Sequence, residues 1–589
     1  MLEPQTRATL TEQLTPPTGY QLSHAVGTTF TLDLATALSV PLSFASHHVA
    51  ADDDTIGILD AVRRVADKMD IFAQAGEISM GAASDLVALL EESVHPVHVN
   101  HGLFHPKVWF LEYAAGDHRA YRFLCASRNL TEDHSWDTLV RLDGTFDRGV
   151  THAENAPLAD LLEALPRLVV NPLPAERAAA LRAFADRLRA VSWELPSNAH
   201  ALRFHALGIP GADVPDFQGK RALIISPFAT EDGLRLLRSD VRTATHLLSR
   251  ATTLDALPAE AIDEKLSTYV LDEAAIGDDL DPVRLNGLHA KVVIVDRRDG
   301  SHVFLGSANA TRAAWHSNVE VMVEITGPRS TFGVEATLDA LGDLKEEYIT
   351  EGGVEESEEE RAKRRLESML RDVAAAHFTV RVLPGAPHSL RVWADAGLAA
   401  TVERASREGI SLRWHLLTRA DLGATLFAPD EDAAPTVTGV PLTDITPFIC
   451  MIARDAAGND RRTIVLAALL DDVPSRKDAI VARQLTDRAS FLRLLTLMLE
   501  LSGNIFNSGE NSGAAQFAFG AASGDSDGSG VFEALVRALG KGHQGLDEVR
   551  RIIDFVREND DGRNLLPDGF DVLWSNVWRA YTSLNGARR

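Results

Sequence analysis

At 589 residues the chain is too long for one ordinary domain and suggests about three or four units. Its 45% apolar and 24% charged residues match a soluble globular protein, and no apolar run reaches the roughly eighteen residues of a membrane-crossing helix. The net charge of −26 excludes broad, nonspecific adhesion to DNA or anionic lipid, while allowing a confined basic cleft.

Residues 1 to about 20 are polar and read as an extended arm whose start lacks the basic and apolar parts of a signal peptide, so a cytoplasmic location is expected. Residues 28–32 read as a strand followed by a helical pattern, 56–69 as a helix, and 70–73 and 94–99 as strands. Strand and helix alternate here, which implies an α/β layer structure. Residues 166–193, rich in Ala, Leu and Arg, read as one helix linking two halves. The second half repeats the order: a buried strand at 222–228, a helix at 231–239, then strands at 245–248 and 268–271. The acidic run 351–360 and the basic residues 361–365 read as a solvated linker or helix face. Short apolar stretches at 378–383, 411–417, 448–453 and 463–470, separated by turn residues, indicate a small β-rich domain. The last hundred residues read as helical, with a mobile loop at 503–530. Trp574 and Trp578, at i and i+4, read as core. Cys125 and Cys450, far apart in apolar runs, read as buried thiols and not a disulfide.

One stretch occurs twice. Residues 287–296 carry His289, Lys291 and Asp296, and 306–309 end in Ser307-Ala308-Asn309. Earlier, residues 103–112 carry His105, Lys107 and Glu112, and 126–129 end in Ser127-Arg128-Asn129. On an extended strand, His and Lys at i and i+2 share a face. An ammonium among Val, Ile and Leu wants an anionic partner. Imidazole, ammonium and carboxamide suit a phosphodiester: His attacks or protonates, while Lys and Asn neutralise the non-bridging oxygens. No carboxylate cluster of the kind Mg²⁺ favours stands beside them. His95, His98 and His101 lack a matching Cys or carboxylate pattern and read as surface or satisfied loop histidines, so neither metal nor cofactor is expected. Residues 136–144 resemble 320–327, and aligning their terminal glycines sets Asp137 against Glu320. Trp136 and Trp315 follow the two Ser-x-Asn elements at similar distances.

These residues resemble the paired HxK(x4)D…GSxN motifs of the phospholipase D superfamily, over roughly residues 20 to 345. The second copy fits in full; the first has Glu112 in place of Asp and Ala126 in place of Gly. The resemblance implies an α/β fold of two pseudo-symmetric phospholipase D-like α/β/α sandwich halves, at 1–165 and 166–345, meeting at one site. An acidic linker or helix (346–375), the β-rich accessory domain (376–480) and a helical C-terminal region (481–589) follow. It implies a metal-independent phosphodiesterase in which His105 attacks phosphorus to give a phosphohistidine and His289 protonates the leaving oxygen. Lys107, Lys291, Asn129 and Asn309 then hold the developing charge. In the family a carboxylate near Glu320 orients the catalytic His, with Asp137 as counterpart, and Glu112 and Asp296 are structural. Ser127, Ser307 and Arg128 are candidates for phosphate contact, the two serines alternatively for bracing the loops. The Ser-x-Asn-x-Thr-Trp arrangement resembles the tyrosyl-DNA phosphodiesterase branch, so nucleic acid is the expected substrate and a nuclease or DNA end-processing enzyme the expected function. Phospholipid hydrolysis or headgroup transfer is the alternative, and a third is a non-catalytic subunit beside a helicase, bound through the C-terminal region. The layout also resembles phospholipase D-like proteins of bacterial phage-defence gene sets. A monomer suffices for one active site.

Overall fold

The computed structural model describes residues 9–44, 59, 63–80, 85–132, 135–272, 287–424, 430–485, 491, 494–495, 535, 545–558, 566 and 570–586. The expected loop at 503–530 and most of the helix at 56–69 lie outside them.

The first part of the chain supplies β1 (Gln21–Thr29), β2 (Leu32–Asp33), β3 (Met69–Gln74), β4 (Ile78–Ser79), β5 (Val94–Val97), β6 (Val108–Ala115), β7 (His118–Ala126), β8 (Leu139–Phe146) and β9 (Val191–Trp193). Seven of these form one sheet in the order β5-β3-β1-β6-β7-β8-β9, while β2 and β4 pair separately. The strands β1, β3 and β5 run parallel, and β6 to β9 continue antiparallel. β3 and β5 are buried along their whole length, as expected of parallel strands covered on both faces.

The next part supplies β10 (Ala201–Leu207), β11 (Arg221–Ile225), β12 (Thr245–Leu248), β13 (Leu266–Leu271), β14 (Val292–Asp296), β15 (Ser301–Gly306), β16 (Glu320–Gly327) and β17 (Lys345–Glu347). Their order is β10-β16-β15-β14-β11-β12-β13-β17. Read from β13 to β16, it has the same succession as β5 to β8, with the same parallel trio and antiparallel extension.

Apolar side chains of both sheets share one core. Phe104, Phe110, Phe123 and Leu142 pack in a cluster with Phe204, Leu288, Ile294 and Val323. Phe123 meets Phe204 edge to face at 5.5 Å between centroids. Backbone bridges also cross between the sheets, Phe104 to Val319 and Trp136 to Leu288.

The single helix expected at 166–193 is instead two, Ala156–Leu168 and Ala175–Leu188, followed by β9. The intervening Asn171-Pro172-Leu173-Pro174 explains the break, because proline offers no N–H and disfavours helix in the residue before it. The expected extended arm contains a short helix, Leu10–Leu14, closed by a capping box between Thr9 and Glu12 and anchored by buried Leu14.

The acidic run is not all linker. Ser357 and Glu360 form a capping box, and Glu358, Glu359 and Glu360 occupy the first turn of the helix Glu358–Ala374, where the helix dipole favours negative charge. That helix buries Leu366, Met369, Leu370, Val373 and Ala374 in the core of the following β-rich region. There β18 (Phe378–Leu383), β19 (His388–Ala394), β20 (Ser411–Leu416), β21 (Arg419–Ala424), β22 (Thr436–Val440), β23 (Phe448–Arg454), β24 (Asp460–Leu466) and β25 (Ala468–Leu470) form two four-stranded sheets, β22-β19-β18-β25 and β21-β20-β23-β24.

The helices Gly545–Glu558 and Phe570–Gly586 pack on the first sheet. Their Val549, Ile552, Ile553, Val556, Phe570 and Trp574 share a cluster with Leu22, Ala25, Ile71 and Leu111. Trp574 is therefore core, and Trp578 lies beside it under the Arg550 guanidinium, 4.4 Å from the ring centroid. Buried Arg476 ties the helix Arg476–Arg483 to Glu91 of the first part through bonds of 2.9 and 2.6 Å. Among the described residues no helix is long and apolar enough to cross a membrane.

Candidate active site

Both His-x-Lys elements lie in extended chain between a cross-sheet bridge and a strand, not within the strand itself. The first runs from the Phe104 bridge to β6, the second from the Leu288 bridge to β14. His105 N–H donates to Val319 O at 2.9 Å and His289 N–H to Trp136 O at 2.8 Å, so each histidine is placed by the opposite sheet. This pairs Trp136 with the position of Val319. Trp315 instead lies in the core of its own half, its Nε1 donating to Asn309 O at 3.0 Å. The two tryptophans, similar in sequence spacing, therefore occupy different structural places.

The Ser-x-Asn elements follow β7 and β15. Ser127 N–H donates to Thr138 O and its Oγ accepts from Thr138 N–H at 2.8 Å; Ser307 makes the same pair with Val321, its Oγ accepting at 3.0 Å. Both serines are fully buried, with Ser127 Oγ bonded to Thr138 and Ser307 Oγ to Val321 and Glu320. The same register sets Asp137 opposite Glu320, as the aligned glycines suggested. Gly306 has φ +156, and a Cβ there would lie 2.1 Å from Val321 O. The first half accommodates Ala126 at the corresponding place.

Glu320 is completely buried. Its Oε2 accepts from His105 Nδ1 at 2.9 Å and from Ser307 Oγ, and Asn318 Nδ2 donates to Oε1 at 3.3 Å. The His105–Glu320 bond thus joins the segment before β6 of one sheet to β16 of the other. Burial pushes Glu320 up to about 8, against the opposing pull of Lys107 and its donors. Burial also holds His105 well below its ordinary range, and the charges of Lys107 and Lys291 add to this.

Both lysines are buried. Lys107 Nζ donates to His105 O at 2.9 Å, and Lys291 Nζ donates to His289 O at 2.9 Å and Ser127 O at 3.3 Å. Desolvation brings Lys107 down to about 7 and Lys291 well below the usual ammonium range, while Glu320 pulls both the other way. Two buried lysine nitrogens are thus held among carbonyl oxygens. The carboxamide oxygens of Asn129 and Asn309 are buried without hydrogen-bond partners.

His289 Nδ1 faces Ser127 O at 2.9 Å, a partner from the first half but a carbonyl. Asp137 is about one-third exposed and lies 3.7 Å from Arg128 Nε. The histidines therefore differ: His105 has a buried carboxylic acid at Nδ1, His289 a backbone oxygen.

Glu112 and Asp296 stand apart from this cluster. Arg187 bonds Glu112 at 3.0 and 2.7 Å, and Tyr121 OH donates to it at 3.1 Å. Asp296 accepts from Arg221 Nε at 2.7 Å and Ser301 Oγ at 2.7 Å. His95, expected at the surface or in a loop, is on β5 and bonds Asp70 Oδ1 at 2.7 Å.

Three contributors escaped the sequence reading. Asn318 bonds Glu320 and receives Leu103 N–H at 3.0 Å; Gln74 Oε1 receives Phe104 N–H at 2.7 Å; and the Phe30 ring lies 5.0 Å from that of His105. Asn318 stands two residues before Glu320, an alternation that could have marked it. Gln74 and Phe30 carry no such signal.

Residues 244–341 match the family model described as "Cardiolipin synthase, PLD-like domain". No curated protein matches the chain. Among solved structures, yeast tyrosyl-DNA phosphodiesterase is similar at 12% identity, covering 54% of this chain and 84% of its own, with TM-score 0.35. Phosphatidylserine synthase of Haemophilus influenzae Rd KW20 is similar at 13% identity, covering 61% and 91%, with TM-score 0.32. Polyphosphate kinase from Porphyromonas gingivalis follows at 12% identity, covering 62% and 45%, with TM-score 0.28. The similarity to a PLD-like domain thus falls on residues 244–341, a stretch of alternating strands and helices in the second sheet.

Proposed function

We propose that the chain is a phosphodiesterase whose single site is assembled from two pseudo-symmetric halves, and that it acts on nucleic acid as a nuclease or end-processing enzyme. The observation that carries this reading is the convergence of two histidines and two buried lysines across the sheet interface, with His105 bonded to the opposite half's Glu320. The repeated strand order and the matching serine bonds support the duplication. Nucleic acid is favoured over lipid because the exposed ring of Phe228 lies beside the second motif with the Arg250 guanidinium 5.0 Å from its centroid, a pairing suited to a base and its phosphate.

His105 Nε2 attacks phosphorus as the bond to the leaving oxygen breaks, and that oxygen takes a proton from His289 Nε2. Glu320 favours His105 for this role, since its carboxyl, once ionised, stabilises through Nδ1 the cationic ring that forms. His289, whose Nδ1 faces a carbonyl, suits the acid. Neutral His289 then removes a proton from water, which attacks phosphorus; the P–N bond breaks and its electron pair returns to His105. Lys107, Lys291, Asn129 and Asn309 stabilise the non-bridging oxygens, and Arg128 meets a neighbouring phosphate.

The test is a rapid-quench experiment with ³²P-labelled oligonucleotides in excess EDTA. His289→Ala accumulates an acid-labile adduct on His105, and His105→Ala forms none. An adduct mapped to His289, or turnover that requires Mg²⁺, overturns the mechanism. The family model's description makes phosphatidyl transfer the second reading, tested by offering phosphatidylglycerol vesicles in parallel.

A further inference from the structure

The two halves provide an internal comparison around the histidines. Thr29 Oγ1 accepts from Leu130 N–H at 3.0 Å and donates to Thr31 O at 2.7 Å. Ser226 Oγ accepts from Ala310 N–H at 3.0 Å and donates to Phe228 O at 2.7 Å. Phe228 therefore occupies, beside Asn309, the place that Thr31 holds beside Asn129. A second difference accompanies it. Gln74 receives the backbone N–H of Phe104, just before His105, whereas Arg250 donates through Nε and Nη2 to the carbonyl of Leu288, just before His289, at 3.1 and 2.9 Å.

At these two equivalent positions the His105 side thus has an amide and a threonine, its phenyl ring being the neighbouring Phe30, 5.0 Å from His105, whereas the His289 side has a guanidinium and a phenyl ring. The Phe228 ring is 48% exposed although its backbone is tied down, its carbonyl also accepting from Ala310 N–H at 3.1 Å. The Arg250 guanidinium lies 5.0 Å from the ring centroid. An exposed ring fixed next to a cation, in a chain of net charge −26, is suited to a ligand that is both flat and anionic.

We propose that Phe228 and Arg250 form a subsite for an unpaired nucleobase and its flanking phosphate on the leaving-group side of the scissile bond. The assignment to the leaving side rests on the reading of His289 as the acid. The base stacks on Phe228, and Arg250 neutralises the phosphate that follows. The substrate is accordingly a single strand, or a frayed end, since a paired base has no free face to offer.

The test is fluorescence anisotropy with the full chain carrying His105→Ala, so that the strand stays intact. The probes are a single-stranded oligonucleotide and the same strand with abasic residues. Phe228→Ala weakens binding of the normal strand by about tenfold or more, Phe228→Trp restores it, and removing the bases weakens the Phe228 protein by the same factor. The protein and ligand changes together lose no more than either alone. Arg250→Gln, which gives this side the residue type of Gln74, lowers the salt slope of log Kd by about one. Equal loss for normal and abasic strands in Phe228→Ala overturns the subsite, as does unchanged binding in that variant. So does a loss confined to binding of phosphatidylglycerol vesicles. These outcomes are independent of the phosphohistidine experiment, so base-dependent binding without an adduct overturns only the phosphodiesterase reading.

Discussion

Glu320→Gln separates stability from activity. The carboxyl is completely buried and pushed up to about 8, whereas in the unfolded chain it ionises near 4.5. Between these values the native state keeps a proton that the unfolded state gives up, so this group's contribution to stability falls as pH rises through that window. The slope is about 1.4 kcal/mol per pH unit, which by pH 7 amounts to about 3 kcal/mol. Glutamine copies the protonated form and removes the slope, while keeping an oxygen for His105 or Ser307. Urea midpoints at pH 5 and pH 7 provide the assay. The variant and the wild type are nearly equal at pH 5, and the variant leads by about 3 kcal/mol at pH 7. Its turnover at pH 8 falls by at least about 10²-fold, because an amide cannot ionise to stabilise the cationic ring of His105. A variant destabilised equally at both pH values would refute the reasoning, since it would mean that Glu320 is ionised and held by His105 and the lysines throughout.

The pH dependence of kcat/KM follows from the same cluster: it peaks between about pH 7 and 8, falling on the acid side as the His105–Glu320 pair takes up a proton and on the alkaline side as Lys107 loses one. Measured for kcat, with phosphate bound, the alkaline limb moves upward because the anion favours the ammonium. Lys107→Met loses roughly 10²- to 10³-fold in kcat while its urea midpoint at pH 8 holds or rises, since the variant no longer buries an amine; a large drop in midpoint would contradict the desolvation argument. Gly102 has φ +104 and a Cβ there would lie 2.1 Å from Ser317 O. Gly102→Ala therefore strains the crossing that places His105 against Glu320, lowering stability by about 1–3 kcal/mol and reducing kcat more than it changes KM. Unchanged kinetics would show that this crossing does not set the dyad.

Much of the site was legible because its residues break the rules of their surroundings. Lysine inside a Val, Ile and Leu run is costly enough to signal function, and doing so twice with matched Ser-x-Asn elements located His105, Lys107, Asn129, His289, Lys291 and Asn309. Glu320 was found through the similarity of the strands that follow, and the structure places it at His105. The break within 166–193 was written in its prolines and missed because the Ala and Leu content on either side reads as continuous helix. The tryptophans misled in another way: similar spacing after Asn129 and Asn309 does not mean equal place, because Trp136 pairs across the sheets and Trp315 turns into its own core.

The sequence by itself determined which residues form the repeated His-x-Lys and Ser-x-Asn elements and much of the order of strands and helices that carries them, since both follow from local residue types and their periodicity. Tertiary structure alone decided which partner each histidine has. His105 and Glu320 are 215 residues apart, and only the packing of one sheet on the other brings a carboxyl to one ring and a carbonyl to the other. Phe228 and Arg250 are placed by contacts within the second sheet's own loops, to Ala310 and to Leu288 just before His289. Local patterning is blind to such pairings because the desolvation and electrostatics that distinguish the two histidines are properties of the assembled interface.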